Sequence, residues 1–320
     1  MEKKRIAFLV NLYTGKGRGR IFYRRVRHWL VKNAKQKKIE PVFFFIEKEV
    51  EQSAVHLSRT IAGQGYDILA VIGGDGTLNK VVNGIAGYDI PVLLFQAGTA
   101  NDFAKTMKMP INPEKVLDLI EKGKIERVDL GKVNGRIFIN IFGIGFDAMV
   151  VHYAEKLKRK LRLSSNYLLY LVSLLWVLFF KLKYYGVTVQ YTPEKKNYET
   201  MAGKVTLVAV CNGTRCGGVL RLAPRANTKD GLLELCIVES IRPLRGLVFL
   251  YKAIRGTHLS LLEFQSDFRG DMPQASTVII SSTDSHNIPS QADGEPLPWH
   301  REYRVSVLPE ALAVIVPQAR

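Results

Sequence analysis

Short, largely apolar runs separated by longer mixed segments dominate the first third of the chain. Arg5 to Asn11, Pro41 to Ile46, Asp67 to Ile72 and Pro91 to Phe95 read as strands. Arg20 to Lys38, Glu49 to Gly63 and Leu78 to Ile85 fall between them and read as helices. Asn101 to Lys108 and Pro113 to Lys122 continue the helical pattern. A strand that shows no polar alternation is one buried on both faces, as in a parallel sheet covered by helices. The first third is therefore predicted to be α/β, with helices on both faces of the sheet. Ligands of such sheets bind beyond the carboxyl ends of the strands.

Two glycine-bearing loops fall at that end. Gly73-Gly74-Asp75-Gly76-Thr77 follows the third strand, and Gln96-Ala97-Gly98-Thr99-Ala100-Asn101-Asp102 follows the fourth. Glycine lets a ligand approach the backbone closely, and free amides at the next helix start attract phosphate. Asp75 adds a carboxylate suited to magnesium or to phosphoryl positioning. Taken alone, each loop is also an acceptable turn, and Asn101 or Asp102 also suits a helix cap. A third loop, Asn11 to Arg20, is glycine-rich and basic. It has neither Walker A order nor Gly-x-Gly-x-x-Gly spacing.

The pattern changes after Asp129. Gly131 to Arg136 reads as a hairpin around Asn134-Gly135. Val187 to Tyr191, Val205 to Asn212, Leu232 to Glu239, Thr277 to Ser281 and Arg304 to Val307 read as further strands. Two domains follow: an α/β domain over residues 1–130, completed by 308–320, and a β-rich domain over 131–307. In the latter, Lys229-Asp230-Gly231 and Asp293-Gly294-Glu295 are turn signals that also carry carboxylates. Asp230 with neighbouring carbonyls suits a hard cation. A carboxylate in the second segment suits proton transfer from an alcohol.

The formal charge is +17 over 320 residues, which favours polyanions such as nucleotides, nucleic acid or anionic lipid. Ten Lys or Arg and no acid occur between Lys16 and Lys38, and a second basic run spans Lys156 to Arg162. The longest apolar run, Tyr167 to Phe180, would span about 21 Å as a helix, short of the roughly 30 Å of bilayer hydrocarbon. It reads as a buried core helix or as a helix at the bilayer surface. The apolar run Ile6 to Val10 is too short for a signal peptide. Cys211, Cys216 and Cys236 form no disulfide framework or zinc spacing, and are expected to be reduced thiols in a cytosolic protein.

Taken in order, Gly73 to Asn79, Gly98 to Ala104, Asn212 to Pro224 with its Gly217-Gly218 pair, Asp230-Gly231 and Asp293 to Glu295 resemble the diacylglycerol kinase catalytic-domain family. The resemblance, closest to compact bacterial lipid kinases, covers nearly the whole chain. It implies a phosphofructokinase-like nucleotide-binding α/β domain, a C-terminal β-sandwich, and an active site in the cleft between them. It also implies ATP as phosphoryl donor, magnesium as cofactor, and a lipid hydroxyl, foremost that of diacylglycerol, as acceptor. Carried over by motif, the nucleotide would be bound by Asn11, Gly73, Gly74, Asp75, Gly76, Thr77, Leu78, Asn79, Gly98, Thr99 and Asn101. Asp75, Asp102 and Asp129 would form the network that holds catalytic magnesium. Glu295 would accept the proton, with Asp293 beside it and Asp75 completing the catalytic set. A structural magnesium would use Asp230 with backbone oxygens of Asn227 and Leu232. A cytoplasmic enzyme peripheral to the inner face of an anionic membrane follows, with homodimers known among bacterial relatives.

The chain departs from the family at Lys80, where Glu is usual, and at Leu12, where Pro is usual. Glu47-Lys48-Glu49 stands where a nucleotide-binding Thr is expected, and Thr214-Arg215-Cys216 replaces aromatic residues. An NAD kinase-like small-molecule kinase shares the Gly-Gly-Asp-Gly-Thr loop but not the Gly98 and Asp293 segments. A non-catalytic membrane- or nucleic-acid-binding relative is disfavoured by retention of every carboxylate. No arginine-aromatic RNA motif or DNA-reading helix is present to mark a specific nucleic-acid partner.

Overall fold

The computed structural model describes residues 3–47, 53–161, 167–193, 199–258 and 272–318. Lys48 and Glu49, the start of the expected second helix, and Arg162 of the second basic run lie outside them. The chain divides into two compact units, Met1–Val128 with Glu310–Arg320, and Asp129–Pro309.

In the first unit, β1 (Lys4–Val10), β2 (Ile39–Phe45), β3 (Ile68–Gly73) and β4 (Val92–Gln96) are parallel, in the order β4-β3-β1-β2. The C-terminal segment adds one more parallel strand, Val314 pairing with Val92. Ile6–Val10, β3 and β4 are buried throughout, so both sheet faces are covered, as the unbroken apolar runs require. Helix α1 (Arg18–Asn33) packs against α5 (Pro113–Lys122), and α2 (Ser53–Ala62) against α3 (Asp75–Gly84). The last pair meets closely, because a Cβ on Gly84 would fall 2.5 Å from the Val55 carbonyl oxygen. Helix α3 begins three residues before the expected Leu78: the glycine loop is itself the first turn. A short helix, α4 (Asp102–Thr106), follows the second loop. Asn112 caps α5, its side chain accepting from the Glu114 and Lys115 amides with Pro113 in the first turn.

The second unit is an antiparallel β structure. Strand β5 (Lys124–Val133) enters it and turns through Asn134 and Gly135, both at positive φ, into β6 (Arg136–Phe138). Then come β7 (Ile141–Gly145), β8 (Tyr185–Thr192), β9 (Glu199–Cys211), β10 (Leu233–Glu239), β11 (Gln274–Ala275), β12 (Thr277–Ser282), β13 (Ile288–Ala292), β14 (Glu295–His300) and β15 (Glu302–Val316). Strand β9 organises the unit. Its first half pairs with β8, and its second half with β7 and β10. One apolar core gathers Phe138, Phe142, Val189, Val210 and Tyr303.

Three helices interrupt these strands: α6 (Phe146–Leu161), α7 (Tyr167–Phe180) and α8 (Pro243–Arg255). Only α7 was expected. Helix α8 buries Phe249 and Ala253 against Leu207, Ala209 and Val238 in a second core. Helix α7 is not the fully buried helix that its composition allows, since Leu169, Val177 and Leu178 are buried while Leu168, Trp176 and Phe180 are exposed. Among the described residues, no helix is long and apolar enough to cross a membrane.

Candidate active site

Three loops meet at the carboxyl ends of β1, β3 and β4 in the first unit, and the contact between two of them is backbone on backbone. A Cβ on Gly98 would lie 2.4 Å from the Gly74 Cα, and one on Gly74 would lie 2.9 Å from the Gly98 Cα. Real side chains do not tolerate such distances. The first loop closes from the other side, where a Cβ on Gly15 would lie 2.1 Å from the Ala97 carbonyl oxygen. Gly15 also holds φ at +57°, with Lys16 following at +56°. The Arg18 guanidinium donates to the carbonyl oxygens of Gly98 at 3.2 Å and Gln96 at 3.3 Å, tying the basic loop to the second glycine loop. The sequence marked only a basic run here, and nothing in it singled out Arg18.

Side chains lock this arrangement. Asn11 donates through Nδ2 to the Thr77 hydroxyl at 3.0 Å, and its Oδ1 accepts the Tyr13 amide at 3.0 Å. Asn101 sits at φ +53° just before α4. Its Oδ1 accepts the Gly98 amide and its Nδ2 donates to the Gly98 carbonyl, both at 2.9 Å. Its role within the loop is thus to fold the loop on itself. Thr77, Leu78 and Asn79 are buried, and Thr99 is exposed. A cavity at the junction is lined by Gly73, Gly74, Asp75, Leu78, Gln96 and Asn101. Gly76 lies in the first turn of α3, whose leading amides and aligned dipole favour an anion.

Asp75 opens α3, and its Oδ1 accepts the Phe103 amide at 3.4 Å. This brings it beside Asp102, which is buried at the start of α4. Two carboxylates of this kind fit magnesium, which takes one or two carboxylates and completes its shell with phosphate and water oxygens. Lys80 is half-buried on the same helix, and Glu47 is exposed.

In the second unit, Asp293 and Gly294 stand at φ +49° and +80° between β13 and β14, the two-residue turn that suits the twist of a hairpin. The Asp293 carboxylate accepts three amides: Ile139 at 2.7 Å, Asn140 at 2.8 Å and Ile141 at 3.1 Å. It fastens the hairpin to the start of β7. Glu295 is the first residue of β14, and its carboxylate accepts from the Arg136 guanidinium at 2.5 Å. Behind the turn, Gln291 accepts the Gly294 amide at 2.9 Å and donates to Asp147 at 2.8 Å. Burial pushes the Asp147 carboxyl up to about 7. Arg136, Gln291 and Asp147 were not legible as site residues.

Asp129 is buried, and its Oδ2 accepts the Gly231 amide at 2.8 Å. The carboxylate expected in the catalytic network thus touches the turn expected to hold structural magnesium. Asp230 accepts the Leu232 amide at 3.1 Å, an Asx turn that a plain hairpin also makes. Asn227, Asp230 and Leu232 do supply hard oxygen donors of the type magnesium takes. Among the described residues, no group of three or more His, Cys, Asp or Glu side chains gathers around one point. Cys211, Cys216 and Cys236 are free thiols, and burial pushes Cys236 up to about 12, which leaves it inert.

Comparisons with known proteins agree with this architecture. The diacylglycerol kinase catalytic domain matches residues 5–133, and the YegS C-terminal NAD kinase beta sandwich-like domain matches residues 140–316. A protein of Chromohalobacter salexigens named "Probable lipid kinase YegS-like" is 28% identical over 91% of this chain and 93% of its own. A protein of Staphylococcus saprophyticus named "Diacylglycerol kinase" is 30% identical over 80% of each chain. One of that name from Mycobacterium tuberculosis is 29% identical over 83% of this chain and 82% of its own. A solved structure described as a diacylglycerol kinase of Bacillus anthracis superposes with a TM-score of 0.71, at 20% identity, over 99% of this chain and 98% of that one. At that identity the likeness speaks for the fold.

An α/β catalytic domain followed by a β-sandwich-like domain makes this a two-domain kinase. The chain belongs to the diacylglycerol kinase catalytic-domain family, with the YegS-type C-terminal domain.

Proposed function

We propose that the chain is an ATP- and magnesium-dependent lipid kinase. It would transfer the γ-phosphate to a free hydroxyl of a membrane lipid, with diacylglycerol the foremost acceptor. The observation that carries this reading is the backbone contact between Gly74 and Gly98. It removes side chains from the mouth of the three loops and leaves amides and the α3 N-terminus to meet phosphate. Gly73 to Asn79 cradle the phosphates with Gly98 and Thr99, while Asn11 and Asn101 hold the loops in shape. Asp75 and Asp102, joined by Asp129, would hold magnesium, which offsets the charge of the transferring phosphoryl group.

Glu295 accepts the hydroxyl proton as the lipid oxygen attacks. Arg136, donating to the carboxylate, fixes its orientation. Asp293 acts one step removed, by holding the hairpin that presents Glu295. Asp230, with the carbonyls of Asn227 and Leu232, would hold a second, structural magnesium. A lipid acceptor places the enzyme at the cytoplasmic face of a membrane, as a monomer or a homodimer.

The test is ATP-dependent phosphorylation of a mixed-lipid panel, read by mass spectrometry, for wild type and Glu295→Gln. A phosphorylated lipid that disappears with the variant supports the assignment. Equal turnover by both proteins removes Glu295 from the mechanism. Product from NAD and none from lipids overturns the acceptor class.

A further inference from the structure

Helices α7 and α8 each bury one face and leave an apolar face in water. On α7, Leu168, Leu171, Leu175, Trp176, Phe179 and Phe180 are 40–66% exposed. Their spacing of three and four residues puts them on one side of a helix. On α8, Leu244, Val248, Tyr251 and Ile254 are 48–73% exposed with the same periodicity. The two helices touch, since a Cβ on Gly246 would lie 2.7 Å from Leu178 Cδ1. Large apolar side chains clustered in this way mark an interaction surface.

Charge says what the surface meets. No Asp or Glu occurs from Lys156 through Pro193, or from Ile241 through His258. Lys181 and Lys183 follow α7 directly, Arg242 precedes α8, and Arg245 and Arg255 lie on it, all exposed. Helix α6, which packs against α7, adds exposed Lys156, Arg159 and Lys160. A second copy is a poor occupant, because a two-fold contact sets each patch against itself and brings basic rim onto basic rim. An anionic lipid surface satisfies both features. Trp176, tilted against Phe180 with ring centroids 4.6 Å apart, and Tyr251, under the Arg255 guanidinium at 4.5 Å, are of the types that settle at headgroup level.

We propose that the α7–α8 pair is a membrane-docking platform. Its apolar faces enter the headgroup and acyl boundary of an anionic bilayer while the surrounding lysines and arginines meet lipid phosphates. Helix α7 has 14 residues, so it lies in the interface and does not cross. The inference rests on the lipid-kinase reading for its purpose, and its test needs no turnover.

The full chain is sedimented with phosphatidylcholine vesicles, with and without phosphatidylglycerol, in the absence of ATP. Wild type is expected to bind the anionic vesicles, with binding weakened by salt. The variants Leu175→Gln/Trp176→Gln and Val248→Gln/Tyr251→Gln are each expected to bind about tenfold or more weakly, with unchanged melting temperature. They should retain activity on a short-chain, detergent-dispersed diacylglycerol. A second readout uses the otherwise intact surface: with Trp29→Phe and Trp299→Phe in place, Trp176 emission shifts to the blue on vesicle binding. Undiminished binding by either paired variant, or no emission shift, overturns the platform. So does a patch-dependent dimer that leaves vesicles alone. Patch-dependent vesicle binding with no lipid phosphorylated would keep the platform and sink the kinase reading.

Discussion

The glycine loops of the first unit and the Asp293 hairpin of the second are built on opposite principles. Where Gly74 meets Gly98, the absence of side chains lets backbone approach backbone. The hairpin is held by what side chains supply: Asp293 binds three amides, Arg136 binds Glu295, and Gln291 links the turn to Asp147. The first region therefore has almost no tolerance for added atoms. The second has little tolerance for lost charge.

The largest effect should come from Glu295, the proposed proton acceptor. Glu295→Gln keeps shape and removes basicity, so kcat is expected to fall about 10²–10⁴-fold with the KM for ATP unchanged. Steady-state kinetics on the best lipid acceptor measure both. A parallel rise in the KM for ATP would point to a nucleotide role instead.

Gly98→Ala probes the other region. Its Cβ would meet the Gly74 backbone, which has no flexible end to yield, so the loops must part. A loss of up to about 3 kcal/mol in stability is expected from such overpacking, with nucleotide affinity falling alongside. Urea unfolding and a fluorescent nucleotide titration check the two. Undiminished nucleotide binding would mean that the close contact is incidental to the phosphate cradle.

The glycine region was far more legible in sequence than the hairpin. Glycine after an apolar strand has few uses, and β1, β3 and β4 follow from unbroken apolar runs. The Asn134-Gly135 and Asp293-Gly294 turns were visible because positive φ at two successive positions selects those residue types. Arg136, Gln291 and Asp147 were hidden, because the contacts that give them a role, Arg136 to Glu295 and Gln291 to Asp147, join residues 159 and 144 apart in sequence and none is an unusual residue type. Helix α6 was obscured because its last turns read as a basic run, and no reading was made of the segment that forms α8. Tertiary packing against β9 and β10 is what holds α8 helical.

Asp293→Asn sharpens the contrast from the hairpin's side. Asparagine can accept the Asn140 and Ile141 amides through its oxygen, but its amide nitrogen would then face the Ile139 N–H, donor against donor. Losing one charge-assisted bond and leaving one amide unmatched should cost about 2 kcal/mol. Catalysis should weaken through displacement of Glu295, while nucleotide affinity, proposed to reside in the glycine loops, is expected to be unchanged. A matched fall in both would mean that the hairpin also governs nucleotide binding.

The smallest effect concerns Asp147, and its sign is fixed by linkage. Burial raises this carboxyl from an ordinary value of 3.8 to about 7. Between those values the folded chain holds a proton that the unfolded chain has released, so stability from this group is complete at low pH and declines as pH rises toward 7. Asp147 is only half-buried by its exposure, so solvent screening should keep the change to about 1 kcal/mol over the window. Asp147→Asn removes the titration and turns its amide nitrogen toward Gln291 Nε2, costing a hydrogen bond at every pH. Wild type should therefore lead the variant by most near pH 4, and the lead should narrow toward pH 7. Urea midpoints for both proteins across that range measure it. A lead that grows with pH would mean the Gln291 and Ala148 amides outweigh desolvation and hold the carboxylate charged, and the support behind the hairpin would then be as electrostatic as its front.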